Sequence, residues 1–357
     1  MEPITHFLAG ACIGRAGFNR KTAYATLAAT LAAEAADLDV LWGLRGPVEG
    51  LKHHRGITHT LIGAPVVAAV VVAAVALLPL LRKRRPAAQP VRWIWLYAAA
   101  LIAALSHILL DWTNNYGVRP FFPFNPRWYA GSIVFIAEPI LWALFALALI
   151  LPAIFSITDR EIGARRQPFR GRGWAIFALC GMVALWCWRS LEQSRARALL
   201  DHTQVTAAPV LRVGLQPYPI NPWRWHAILE TPQYYRTAEV NTLTGTVESD
   251  SSADILYKPE TTPAVETAKR TFLGQVYLDW SSWPVVRDLG PSPVAGIDPP
   301  QLPPGRTWTT VQFTDLRFGY GFLGRGDTRP PGGLTGWAYI VDGHEEAAIG
   351  MGNREQK

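Results

Sequence analysis

The sequence predicts a polytopic α-helical membrane domain of about five helices followed by a small β-rich soluble domain. Three observations carry this. Composition changes along the chain: up to about residue 190 it is rich in Ala, Leu, Val, Ile and Trp, and beyond that it is polar with many Pro, Gly and Thr. The mean hydropathy of +0.11 therefore averages two unlike halves. The Lys and Arg residues behind the net charge of +7 gather in short loops between apolar runs. Such clustering is a topology signal and not the continuous basic face that a nucleic-acid partner requires, so no nucleic acid is expected. The polar half shows the period-2 alternation of strands. The division falls at 1–190 for the transmembrane part and 191–357 for the β-rich part.

Residues 4–18 form a short apolar segment around His6, shorter than a bilayer span requires, with Gly10, Gly14 and Gly17 spaced for close helix contact. Met1-Glu2-Pro3 lacks the positive n-region of a cleavable signal. Residues 22–42 make a second apolar helix, free of charge until Glu34, Asp37 and Asp39. Gly43, Gly46, Pro47 and Gly50 mark a loop leading to His53-His54-Arg55-Gly56-Ile57-Thr58-His59-Thr60. Residues 61–81 are the clearest transmembrane helix, about twenty residues without a charge. Residues 93–110 span again, ending in Ser106-His107-Ile108-Leu109-Leu110-Asp111. A loop at 112–131 precedes a span at about 132–155 that Glu138-Pro139 interrupts. A last helix at 174–189 leads through an amphipathic linker, Leu191 to Leu200, into strands expected at Trp223–Leu229, Tyr234–Val240, Trp308–Phe313 and Trp337–Val341. Residues 352–357 read as a loose tail. Cys12, Cys180 and Cys187 lie in apolar segments without ligand spacing, which predicts neither a disulfide framework nor a Cys-held metal.

The positive-inside rule places loops 82–92 and 159–172, with Arg15 to Lys21, in the cytoplasm. Asp37, Asp39, the 53–60 stretch, His107, Asp111 and Glu138 then share the opposite face, and everything after residue 190 is non-cytoplasmic.

These residues carry the chemistry. His107 and Asp111 stand four apart on one helix, so both side chains point the same way and can chelate one divalent ion. Asp37 and Asp39 put carboxylates at a helix C-terminus, where the macrodipole disfavours them unless a cation is near. Three histidines within seven residues offer nitrogen ligands, and a mixed nitrogen and oxygen set suits Zn²⁺, with Mn²⁺ or Fe²⁺ as alternatives. Arg55 has a fork of donors suited to phosphate or carboxylate. Glu138, inside a span, is a candidate ligand or general base. A lone histidine such as His6 is more often a packing residue, and only its expected depth argues for a ligand. His202, His226 and His344 have no carboxylate spacing and read as surface or structural.

Thr5-His6-Phe7, Asp37-Leu38-Asp39, His54-Arg55-Gly56-Ile57-Thr58-His59-Thr60, and His107 to Asp111 followed by Thr113 and Gly117, in that order, resemble the YdjM-type family of membrane-bound metal-dependent hydrolases over about residues 1–155. The departure is Ala36, where family members often have Pro. The resemblance implies a bacterial inner-membrane protein with a metal site formed by His6, Asp37, Asp39, His54, His59, His107 and Asp111, His53 being less certain. It also implies a distant similarity to helical zinc enzymes that cleave phosphoesters.

The expected function is hydrolysis of a phosphoester or lipid-linked substrate by water activated on one or two Zn²⁺ ions at the non-cytoplasmic face. Arg55 is expected to stabilise developing charge, with Glu138 or Asp39 as general base. The rival expectation is a divalent-cation transporter or sensor without catalysis, which intramembrane carboxylates and histidines serve equally well.

Overall fold

The structure is a computed structural model, describing residues 1–81, 89–161, 171–249, 254–320 and 334–356. Most of the basic residues behind the topology argument, in 82–88 and 162–170, lie outside the described residues.

The N-terminal region is helical. α1 (Pro3–Ala16) starts on a Pro, with the Glu2 carboxylate accepting from the Thr5 amide at 3.0 Å. α2 (Ala25–Glu34) packs against it through small residues: a Cβ on Gly10 would lie 2.7 Å from the Ala29 carbonyl, and one on Gly14 would lie 2.5 Å from Thr26 Cα. Gly17, expected in the same stripe, faces open space. The predicted single helix over 22–42 does not persist. After Glu34 the chain tightens into a 3₁₀ helix, Ala35–Arg45, whose shorter repeat rotates Asp37 and Asp39 away from the α-helical face. α3 (Pro47–His53), α4 (Gly63–Leu81), α5 (Trp93–Thr113), α6 (Pro139–Glu161) and α7 (Arg172–His202) complete the helices of this region.

Three of these are long and apolar enough to cross a membrane: Trp93–Thr113, Pro139–Thr158 and Arg172–His202. A fourth span is reached if Pro47–His59 and Gly63–Leu77 count as one element bent by 84°. The short segment at 4–18 is the 14-residue α1, below span length as expected, whereas the apolar run at 22–42 yields only the 10-residue α2, also too short to cross. The expected span at 132–155 begins at Pro139, so Glu138 precedes the helix and does not interrupt a span. The last apolar helix and the amphipathic linker are one continuous helix of 31 residues.

The C-terminal part is β-rich, with two antiparallel sheets. The first runs β1 (Arg212–Pro217), β2 (Arg224–Glu230), β3 (Tyr234–Asn241), β4 (Thr246–Glu248), with β5 (Ile255–Tyr257) also on β3. The second has the order β10 (Arg354–Glu355), β9 (Glu345–Met351), β8 (Gly336–Val341), β7 (Trp308–Asp315), β6 (Pro284–Asp288). Two helices, α8 (Pro263–Arg270) and α9 (Phe272–Trp280), cover it.

One hydrophobic core joins the two parts: Val48 and Leu51 of α3 and Tyr116 of the 112–131 loop pack with Leu273, Tyr277, Trp280, Phe313 and Met351. Full burial of a side chain such as Leu51 is worth ~1.5–3 kcal/mol, so packing on the β-rich side helps to hold α3 in place. Polar contacts add to this. Gln356 Oε1 accepts from the Val48 and Glu49 amides at 2.9 and 3.2 Å, and Arg354 donates to the Gly43 carbonyl at 3.1 Å. The tail expected to be loose is therefore anchored. Gly46 is required here by its φ of +133°, a backbone state that L side chains rarely adopt, and the Gln356 amide packs against it.

Candidate metal centre

The helix directions bring the polar residues to one end of the bundle. α1 leaves that end at His6, α2 returns to it before Asp37, α4 leaves it after His59, and α5 returns with His107 and Asp111. His54 ends α3 in an extended conformation, Arg55 takes a left-handed one (φ 55°), and Ile57–His59 forms a 3₁₀ turn. The Arg55 amide donates to Asp39 Oδ2 at 2.7 Å, fixing a backbone state that costs about 1–3 kcal/mol in a non-glycine residue. The kinked run aims both His54 and His59 at the 3₁₀ segment. Gly63 then lets α4 start against the Ile57 carbonyl, 1.9 Å from where a Cβ would be.

Two groups of potential ligands result. Asp37, His59, His107 and Asp111 each offer an atom within 4.8 Å of the others, and so do Asp37, Asp39 and His54. Asp37 belongs to both. The groups differ in access: the His59, His107 and Asp111 side chains are 0% exposed, whereas His54 is 29% and Asp37 18% exposed. Apart from the shared Asp37 the first group is sealed, whereas the second opens outward at His54.

The surroundings fit a cation. His107 Nδ1 lies 2.6 Å from the Ala33 carbonyl, so the ring carries its proton there and turns the Nε2 lone pair toward Asp37 and Asp111, at 3.6 and 3.5 Å. His59 Nε2 lies 3.2 Å from Asp37 and 3.5 Å from Asp111, and its Nδ1 lies 3.2 Å from Asp39. Among the described residues, His107 Nε2, Asp111 Oδ2 and both nitrogens of His6 are buried without a hydrogen-bond partner, a costly arrangement that a cation would relieve. Burial pushes the Asp37 carboxyl up, but opposing effects led by the hydrogen bond from His59 outweigh it and hold it at about 2. Asp39 is also held below the usual carboxylate range, burial being overcome by hydrogen bonds from His54 and His59. Both are therefore ionised, as ligands must be.

The other predicted residues fall as follows. His6 is buried beside the sealed group, stacked on His107 at 3.7 Å, its Nε2 3.4 Å from Asp111. His53 turns away, stacked on Trp42 at 4.0 Å and paired with Glu49. Arg55, expected to face substrate, points inward: it is 2% exposed, pairs with Asp111 at 2.8 Å and donates to the Gly117 carbonyl at 2.6 Å. Its charge is spent on a potential ligand, because a buried Asp111 needs a counter-charge. Glu138 belongs to neither group; its oxygens accept from Arg189 at 2.6 Å and from the Ile220 amide at 3.1 Å.

Several contributors were not singled out from sequence. The Met1 amine ion-pairs with Asp111. Asn114 accepts from the Tyr116 amide at 2.8 Å and shapes the turn that holds Arg55. Arg317 donates to the Asn115 and Tyr116 carbonyls at 3.0 and 3.1 Å. Arg189 alone carried a signal, a charge at the end of an apolar helix.

The model of the YdjM inner membrane protein family matches residues 1–196, more than half of the chain, and the chain belongs to that family. It is 28% identical over 151 residues to YfhP of Bacillus subtilis (strain 168), an uncharacterized protein. That match covers 40% of this chain and 43% of YfhP, so the chain spans less than half of the relative's length. No solved structure matches the chain.

Proposed function

We propose that this member of the YdjM inner membrane protein family is a membrane-bound metal-dependent hydrolase whose substrate is a phosphoester, lipid-linked and reached from the bilayer surface. The observation that carries the reading is that Asp37 is common to a sealed group and an open one. A shared carboxylate is how paired cations are held together, and three protein ligands beside an open position is the pattern of catalytic sites, whereas closed four-ligand sets are structural. The mixed nitrogen and carboxylate donors suit Zn²⁺, with Mn²⁺ or Fe²⁺ as alternatives. A bound divalent ion would supply water that ionises near neutral pH and would polarise a phosphoryl oxygen.

The chain's own residues do the rest. Ala33 fixes the His107 tautomer, Arg55 balances Asp111, and His54 and Asp37 line the open side where substrate arrives. Asp39, which accepts from the Arg55 amide and touches both His54 and His59, would hold the open-side ion with Asp37 and His54, and those hydrogen bonds leave its carboxylate too weakly basic to serve as general base. Glu138, engaged by Arg189, is left out of this role. The metal centre and the β-rich part belong on the non-cytoplasmic face by the charge bias of the loops.

A cation carrier would need polar groups continuing through the membrane; α4 beyond Gly63 is uncharged, which favours hydrolysis. The test is metal analysis of the purified chain followed by a phosphodiester and phospholipid activity screen, with and without chelator, on wild type and His54→Ala. Metal-dependent turnover lost in His54→Ala is expected. Full activity of metal-free protein sinks the reading.

A further inference from the structure

At the end of the bundle opposite the metal centre, an open cleft of about 540 Å³ is lined by Ala16 to Phe18, Arg20, Lys21, Trp95 and Arg172. We infer that this cleft binds the headgroup phosphate of an anionic phospholipid.

The cleft forms where the C-terminal end of α1 meets the first turns of α5 and α7. Among the described residues its lining holds the cationic side chains of Arg20, Lys21 and Arg172 and no carboxylate. Arg172 spends its Nε on the Ala16 carbonyl at 3.0 Å, which fixes the guanidinium at the cleft edge. The Lys21 ammonium sits 5.3 Å from the centroid of the Trp95 ring, a platform that holds the ammonium in place without neutralising it. A fixed cluster of like charges is held together more easily by an anion that bridges it, and basic pockets between membrane helices recognise phosphate headgroups in this way.

The flanks point to a lipid in preference to free phosphate. Trp93 and Trp174 are 55% and 41% exposed at this level, the place of an interfacial aromatic belt. Below them Ile94 and Ile102 of α5 and Phe177 of α7 present exposed apolar surface. A phospholipid seated with its phosphate in the cleft lays its acyl chains along that surface; inorganic phosphate leaves it uncovered.

The experiment uses the full chain in a neutral detergent, titrated with phosphatidylglycerol, phosphatidylcholine or inorganic phosphate, with bound molecules counted by native mass spectrometry. Phosphatidylglycerol should bind at least about ten-fold more tightly than phosphatidylcholine, with the preference shrinking as salt is added. The double variant Lys21→Gln/Arg172→Gln should bring the two lipids level, and Lys21→Arg should keep the preference. Where the double variant does not fold, the salt series on wild type decides. Equal binding of the two lipids, a preference indifferent to salt or retained in the folded double variant, or displacement of phosphatidylglycerol by equimolar inorganic phosphate overturns the proposal.

Discussion

Arg55 and Asp111 form a buried ion pair, Nη2 to Oδ1 2.8 Å, with side chains 2% and 0% exposed. The guanidinium also lies 4.5 Å from the centroid of the Tyr116 ring, which packs 4.9 Å from that of Trp280, over which Arg317 stacks at 4.7 Å. Two stacked rings capped by a cation at each end thus form a column that runs from a potential metal ligand into the β-rich part. Among the described residues, removing Arg55 leaves the buried Asp111 to the Met1 amine alone and the Gly117 carbonyl without its donor. Arg55→Met should therefore lower stability by about 3–5 kcal/mol, read as a fall in the thermal midpoint. Arg55→Lys should recover only part of it, because an ammonium cannot reach Asp111 and the Gly117 carbonyl with one planar fork.

Metal content separates the two ligand groups. Wild type should bind a pair of divalent ions, measured by mass spectrometry of digested protein. His54→Ala should lose the outer ion and keep the inner. Asp37→Asn should weaken both, since Asp37 serves each group. Equal loss in His54→Ala and Asp37→Asn would show that the two groups hold a single ion.

Glu138 and Arg189 give the opposite pattern. Arg189→Met strands a carboxylate that is 0% exposed and should cost about 3–5 kcal/mol, with metal content unchanged. Adding Glu138→Gln should restore much of the stability. If Glu138→Gln alone abolished turnover without altering the thermal midpoint, Glu138 would be a catalytic base after all.

Asp37 predicts an acid-side stability change. Its folded value of about 2 lies below the reference of 3.8, so the folded state favours the charged form. The stabilisation, about 2 kcal/mol, is fully present above the unfolded value and is lost as pH falls through 4 toward 2. Thermal midpoints of the metal-free protein between pH 2 and 5 should show this slope, and Asp37→Asn should flatten it.

Legibility in the sequence followed the range of the interactions. α5 was readable because its apolar run is unbroken and ends in His107 and Asp111. Asp37, Asp39, His54 and His59 were readable because each stands in a short motif, and the motifs occur in one order. The inward turn of Arg55 was not, since it depends on Asn114 and Gly117 in a loop whose shape no local pattern sets. Neither was the engagement of Glu138, because its partner stands 51 residues away. In the C-terminal part, β9 lacks alternation along Glu345–Met351 and escaped notice. α8 is not among the expected elements although a local signal opens it, Thr262-Pro263, with the Thr262 hydroxyl accepting from the Val265 amide at 3.2 Å.

The cap that Gln356 places on α3 has a consequence for biosynthesis. Its side chain serves an amide 308 residues earlier in the chain. Synthesis runs from the N-terminus, so the apolar helices enter the membrane well before residue 356 leaves the ribosome. Until the β9–β10 hairpin folds, α3 begins with open amides, and the run from His53 to Thr60 lacks its anchor on that side. Assembly of the candidate ligand cluster is therefore a late step, timed by the folding of the β-rich part after helix insertion is over.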